Sequence, residues 1–157
     1  MKDPVREQVI KLLRGGQAHL TLDDVIKDLP ANLRGVKPKG APHTAWQLVE
    51  HIRIALWDIL EFSSDAKHAS PPWPDGYWPK VEKPPSNAAW TRSIASIKRD
   101  MAALEKLVEN PKTDLYAKIP HGTGQNILRE ALLVADHNAY HVGQLMLLRR
   151  MLDPDAT

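Results

Sequence analysis

Apolar residues recur three and four positions apart over long stretches of the chain, the period of helices with one face in a core. In DPVREQVIKLLRGG, Asp3 stands as a cap and Pro4 at the first helical position. Val5, Val9, Leu12 and Leu13 follow as one stripe, and Gly15 with Gly16 ends it. A shorter helix is expected in TLDDVIKDLP, capped by Thr21 and stopped by Pro30. In HTAWQLVEHIRIALWDILEF, Thr44 and Gln47 make a capping box, and Leu48, Ile52, Ala55 and Ile59 recur at helical spacing. SNAAWTRSIASIKRDMAALEKLVEN gives another helix, with Ser86 or Asn87 as cap and Pro111 as stop. Its inward positions are Ile94, Ile97, Met101, Leu104 and Leu107. The last helix begins after HGTG, residues 121–124, and runs to Arg149 and Arg150, cations suited to a helix C-terminus, with Pro154 beyond.

Strand signals are nearly absent. Four substantial helices without a sheet predict an all-α fold, an antiparallel four-helix bundle, with residues 1–157 forming a single domain. One segment breaks the pattern: SSDAKHASPPWPDGYWPKVEKPP, residues 63–85. Six of the thirteen prolines fall between positions 71 and 85, beside Trp73, Tyr77 and Trp78. So long a connection reads either as a crossover loop pinned by its own rings or as a lid facing a substrate pocket. Its aromatic content implies that it packs on the helices.

Composition narrows the function classes. The formal net charge is only +2, and Lys and Arg are interleaved with Asp and Glu. No concentrated basic face is expected, so neither nucleic acid nor a membrane is an expected partner. No apolar run is long enough to span a bilayer, and the charged N-terminal stretch lacks a secretory apolar core, which fits a cytoplasmic protein. The absence of cysteine removes disulfides, thiolate nucleophiles, Fe–S clusters and Cys-based zinc sites.

The chemistry-bearing stretch is DHNAYHVGQ, residues 136–144. His137 and His141, four apart, project from one mostly apolar helical face. Two inward imidazoles leave ring nitrogens to satisfy, and protonation would put charge into a low-dielectric place. A divalent metal resolves both, since it takes the lone pairs and keeps the rings neutral. The pair alone also reads as a partly exposed couple bonded to its neighbours, so a third ligand is needed. His51, flanked by Leu48, Ile54 and Ala55 at helical spacing, looks inward. His43 lies about 12 Å earlier along the axis and cannot share a metal with His51. His19, His68 and His121 fall in loop-like sequence, where exposure is the default. Three histidines from two helices would leave coordination positions open, as catalytic sites do. Such a set suits zinc and nickel first, and iron, cobalt or copper as well. Asp58 and Glu130, two turns from His51 and His137, are candidates to orient the ligands, with Asp136 and Glu50 also near in sequence. Gly143 allows close helix approach.

HTAWQLVEHIRIALWDIL followed by HGTGQNILREALLVADHNAYHVGQLMLLRRML resembles the DinB-like (DinB/YfiT) superfamily, from about residue 20 to 152. The most specific pieces are WQLVEHIRIALWDIL and LVADHNAYHVGQL. The resemblance implies a four-helix bundle with a long crossover, and a metal held by one histidine of the second helix and two of the last. On this chain these are His51, His137 and His141. It also implies thiol-dependent transferase or isomerase chemistry with a low-molecular-weight thiol such as bacillithiol or mycothiol. Without a cysteine in the chain, that thiol is a co-substrate. Two functions follow as expectations. One is a metalloenzyme acting on a small-molecule substrate through a metal-activated thiol or water, with Trp73, Tyr77 and Trp78 at its pocket. The other is a non-catalytic, metal-stabilised bundle that binds a ligand or a second subunit. A homodimer is among the expected assemblies, with Trp46 and Trp90 read as core.

Overall fold

The computed structural model describes residues 3–153. Its helices are α1 (Pro4–Arg14), α2 (Leu22–Ile26), α3 (Ala45–Ser64), α4 (Asn87–Glu109) and α5 (Ile127–Leu152), with a single 3-10 turn at Asp75–Tyr77. Four of the five are long, and among the described residues the only β pairing is one isolated bridge, Lys118 with Asn126. The fold is all-α.

The helix starts follow from side chains that meet otherwise unpaired backbone N–H groups. Asp3 accepts from the amides of Val5 and Arg6. Thr44 and Gln47 close the capping box of α3 in both directions, at 3.2 and 3.1 Å. Ser86, rather than Asn87, caps α4. Asn126 caps α5 by accepting from the Arg129 amide at 2.8 Å. α1 stops at Gly15, where φ is +67°. α2 is only five residues long: it ends at Ile26, and the chain turns through Asp28 at φ +59° before reaching Pro30. The proposed stop at Pro154 lies outside the described residues.

α3 packs on α4 and α5, α1 packs on the same two helices, and α2 lies on α5. Their shared core is aliphatic: Val49, Ile52 and Leu56 from α3, Leu104 and Val108 from α4, Val134 and Leu145 from α5, all almost fully buried. Each such side chain contributes roughly 1.5–3 kcal/mol by leaving water. Trp46 and Trp90 are buried beside each other, with ring centroids 6.4 Å apart. The α1 stripe is narrower than its spacing suggests. Val9 and Leu13 are buried, whereas Leu12 is 51% exposed and Val5 sits on the open first turn. One residue turns a helix by about 100°, so Leu12 lies on the flank of the face that Leu13 buries.

Gly143 is a second correction. It is exposed, and a Cβ built there would meet nothing within 4 Å. No neighbour approaches closely at that point, so the glycine only weakens α5. Gly143→Ala is expected to raise stability by about 0.5–1 kcal/mol in a denaturant titration.

Candidate metal centre

The site begins with the two helices that carry the histidines. On α3, His51 lies between Leu48 and Ile52 and is 2% exposed. On α5, His137 and His141 lie one turn apart, His141 buried and His137 half-buried. Because α3 and α5 pack directly, the two faces meet. One nitrogen from each of the three rings lies within 4.8 Å of the others. The His51 and His137 Nε2 atoms are 3.0 Å apart.

Hydrogen bonds on the far sides of the rings decide what these nitrogens present. His51 Nδ1–H donates to the backbone carbonyl of Tyr77 at 2.9 Å. His141 Nδ1–H donates to the side-chain carbonyl of Gln144 at 2.8 Å. A carbonyl only accepts, so both rings carry their proton on Nδ1 and keep the lone pair on Nε2, which for His51 faces His137. This is the tautomer a metal-binding imidazole needs. Two ligands about 2.1 Å from one tetrahedral ion stand about 3.4 Å apart; His51 and His137 are near that spacing, and the cluster as a whole, within 4.8 Å, would close by a small side-chain adjustment around one ion. All three residues expected as ligands are brought together here.

Burial also keeps the rings uncharged. It pushes His51 down to about 4, helped by the nearby His141 and His43 and opposed by the bond to Tyr77. His137 is likewise pushed down to about 4 by burial first, then by His141 and His51. His141 is lowered mainly by burial.

The 63–85 segment supplies the next layer. Trp78 lies flat on His51, with centroids 3.8 Å apart and planes 3° from parallel. Its other face stacks on His43 at 3.8 Å. His43 is therefore separated from the cluster by the thickness of an indole. Trp73, in contrast, is 76% exposed and meets Tyr77 edge to face at the outer rim. Tyr77 gives its carbonyl to His51 and its hydroxyl to Asp58, donating to Oδ2 at 2.6 Å. Burial, then the bond to Asp58, pushes the Tyr77 phenol up to about 12.

Asp58 also accepts from His68 Nε2 at 2.7 Å. Two turns of helix, about 10 Å, separate it from His51, and the link runs through Tyr77. His68, expected to be exposed, has a side chain only 8% accessible because this bond and the edge of Trp57 cover it. Glu130 stands as far from His137. It is buried, and its carboxylate pairs with Arg129 at 2.6 Å instead of with an imidazole. Glu50 pairs with Arg53 at 2.8 Å. Asp58→Asn would weaken the support of Tyr77 without touching a ligand. Metal affinity measured by chelator competition is expected to fall about tenfold, the low end for groups that orient ligands.

The histidine nitrogens open into a cavity of about 490 Å³. Trp73, Trp78, Tyr140 and Asp136 are among its walls, and Tyr140 is 64% exposed over the edge of His141. Sequence reasoning missed the Tyr77 carbonyl, the Trp78 stack and the place of His43. The Pro-flanked aromatic cluster was the one available signal for the stack. A backbone carbonyl has no signature in side-chain identity.

An all-helical domain with three converging, uncharged imidazoles defines the class: a helical protein with a candidate divalent metal site. The chain belongs to the DinB superfamily, whose family model matches residues 5–145, from α1 into the last turns of α5. No curated protein and no solved structure matches it.

Proposed function

We propose that the protein is a metal-dependent enzyme, with His51, His137 and His141 as ligands of one divalent ion, zinc or nickel in preference to iron, cobalt or copper. The observation that carries this reading is the convergence of three histidines: one ring nitrogen of each lies within 4.8 Å of the others, and His51 and His141 each tie Nδ1–H to a carbonyl oxygen, which leaves Nε2 as their free lone pair. A structural site would close its coordination with protein groups, whereas three ligands leave room for a small molecule. Bound there, the ion would supply Lewis acidity that lowers the pKa of a thiol or water. The chain's own residues hold the rings and shape the cavity. Tyr77 and Trp78 fix the orientation of His51, Gln144 fixes that of His141, and Trp73, Trp78 and Tyr140 line the cavity.

The nucleophile we favour is a low-molecular-weight thiol brought as a co-substrate, because the chain has no cysteine to serve in its place. Its reaction would be transfer to an electrophilic small molecule. Within this reading the long helices form an antiparallel four-helix bundle, residues 63–85 are its crossover, and the protein works in the cytoplasm, as a homodimer if the chains pair. Asp58 supports the ligands through Tyr77, and Glu130 serves α5.

The test is stoichiometric metal content followed by turnover. Metal-loaded protein, a panel of thiols including bacillithiol and mycothiol, and reactive electrophiles are expected to give a rate above that of the chelated protein. Full metal content with no rate across the panel would instead identify a non-catalytic, metal-stabilised binding protein.

A further inference from the structure

Beside the histidine cavity lies a second one of about 400 Å³. The two share Pro42, His43 and Gln144 as walls, so they lie side by side as neighbouring lobes with these residues between them. Their chemistries differ. The histidine lobe has Asp136 at its wall. The second lobe has no carboxylate; its charged residue is Lys39. Its floor is Leu48 and Leu148, 3% and 4% exposed, and its lip is Leu147 and Met151, 63% and 48% exposed. Those exposed positions are large, unbranched or singly branched hydrophobes one turn apart at the end of α5, where a solvated helix face would carry polar groups.

We propose that this second lobe is the subsite for the non-reacting part of the substrate: an elongated apolar group, neutral or anionic at its far end, extending from the histidines past Gln144 toward Met151. The proposal rests on the metal reading above, which supplies the position of the reacting end. Shape and charge supply the rest. A volume of this size takes a chain of several methylenes, the leucine and methionine walls offer no hydrogen bonds, and Lys39 disfavours a cation. Gln144 stands between the lobes and accepts from His141 Nδ1–H at 2.8 Å, which places the ring beside the boundary.

The experiment uses zinc-loaded protein and a series of straight-chain hydroxamates from acetohydroxamate to octanohydroxamate, whose common head group chelates an open divalent ion. Dissociation constants come from calorimetry. Affinity is expected to rise about three- to fourfold per methylene until the lobe is filled, the value for moving a methylene out of water. The analogue ending in an ammonium is expected to bind more weakly than its methyl counterpart. Leu147→Asp, at an exposed position that the fold tolerates, is expected to flatten the length series. Hydroxamates that bind with no dependence on chain length in the parent protein would overturn the subsite and leave the metal site standing. Zinc held in full with no hydroxamate bound would overturn the subsite together with the open coordination position on which it rests. Sedimentation of the parent and Leu147→Asp proteins adds a control. A dimer that becomes a monomer with the substitution would assign the apolar lip to a second copy of the chain and overturn the proposal.

Discussion

His51→Ala is expected to lower zinc affinity by more than a hundredfold, while His43→Ala leaves it within a fewfold of the parent value. Both residues stack on Trp78 at the same centroid distance, and both lie against the same cavity. A role in packing, or a general electrostatic effect of one imidazole, would make the two substitutions alike. Only His51 has a nitrogen within reach of His137 and His141. Loss of an outer-layer partner of a ligand already costs ten- to a hundredfold in affinity, so loss of a ligand exceeds that range. Removing His51 also strips the donor from the Tyr77 carbonyl and leaves space beside Trp78, so the metal-free variant is expected to be less stable by about 1–3 kcal/mol. For that reason the comparison is made on the difference between metal-loaded and metal-free protein. At a free metal concentration a hundred times the dissociation constant, binding stabilises the folded state by about 2.7 kcal/mol. For a chain of this length that is a rise in Tm of about 5–10 °C. The rise is expected in the parent and in His43→Ala, and absent in His51→Ala at the same metal concentration. A His51→Ala protein that keeps both its zinc and its thermal shift would remove His51 from the ligand set.

The contrast between these histidines shows where a sequence stops being informative. His137 and His141 announce themselves because helix geometry is local: four residues return a side chain to the same face, and the apolar neighbours say which face is inward. The helix starts are equally local, each needing one oxygen within three residues, and Thr44, Ser86 and Asp3 are legible for that reason. His51 is legible as inward from its own helix, although its partners are not, since the nearer one lies 86 positions away. The resemblance to relatives is what joins the two helices. Residues 63–85 have no period, and what they contribute is a carbonyl and a flat ring placed by a path of turns. Asp58 and Glu130 read alike from sequence, each two turns from a histidine of the cluster. Only Asp58 is joined to the cluster, because Tyr77 from the irregular segment spans the distance and no equivalent group meets Glu130. Burial of His68 has the same origin, a loop folding back on Asp58.

Acid is expected to unfold the metal-free protein well before it strips metal from the folded one. His51 and His137 are held near 4 in the folded chain, against about 6.5 for an exposed imidazole. Between these values the unfolded chain binds protons that the folded chain refuses, so stability falls as pH drops from about 6.5 toward 4 and levels below it. One ring depressed by this amount accounts for roughly 3 kcal/mol over the window. Two rings in contact give less than twice that figure, because protonating one already opposes protonation of the other. In the folded state the same shift has the opposite consequence for metal. At pH 7 the His51 and His137 rings are already neutral, and they remain so at pH 5.5, so their share of the zinc affinity of the folded protein is expected to be nearly the same at both. A site of exposed histidines would lose affinity across that interval, by up to tenfold per ring per unit once below its pKa. Two measurements separate the cases: the Tm of chelated protein from pH 7 to 4.5, and the zinc dissociation constant at pH 7 and 5.5 by competition with an indicator. A flat Tm in the absence of metal, together with weakened zinc binding at pH 5.5, would mean that the rings titrate as exposed groups. Burial by Trp78 and the helix core would then have no hold on their protonation.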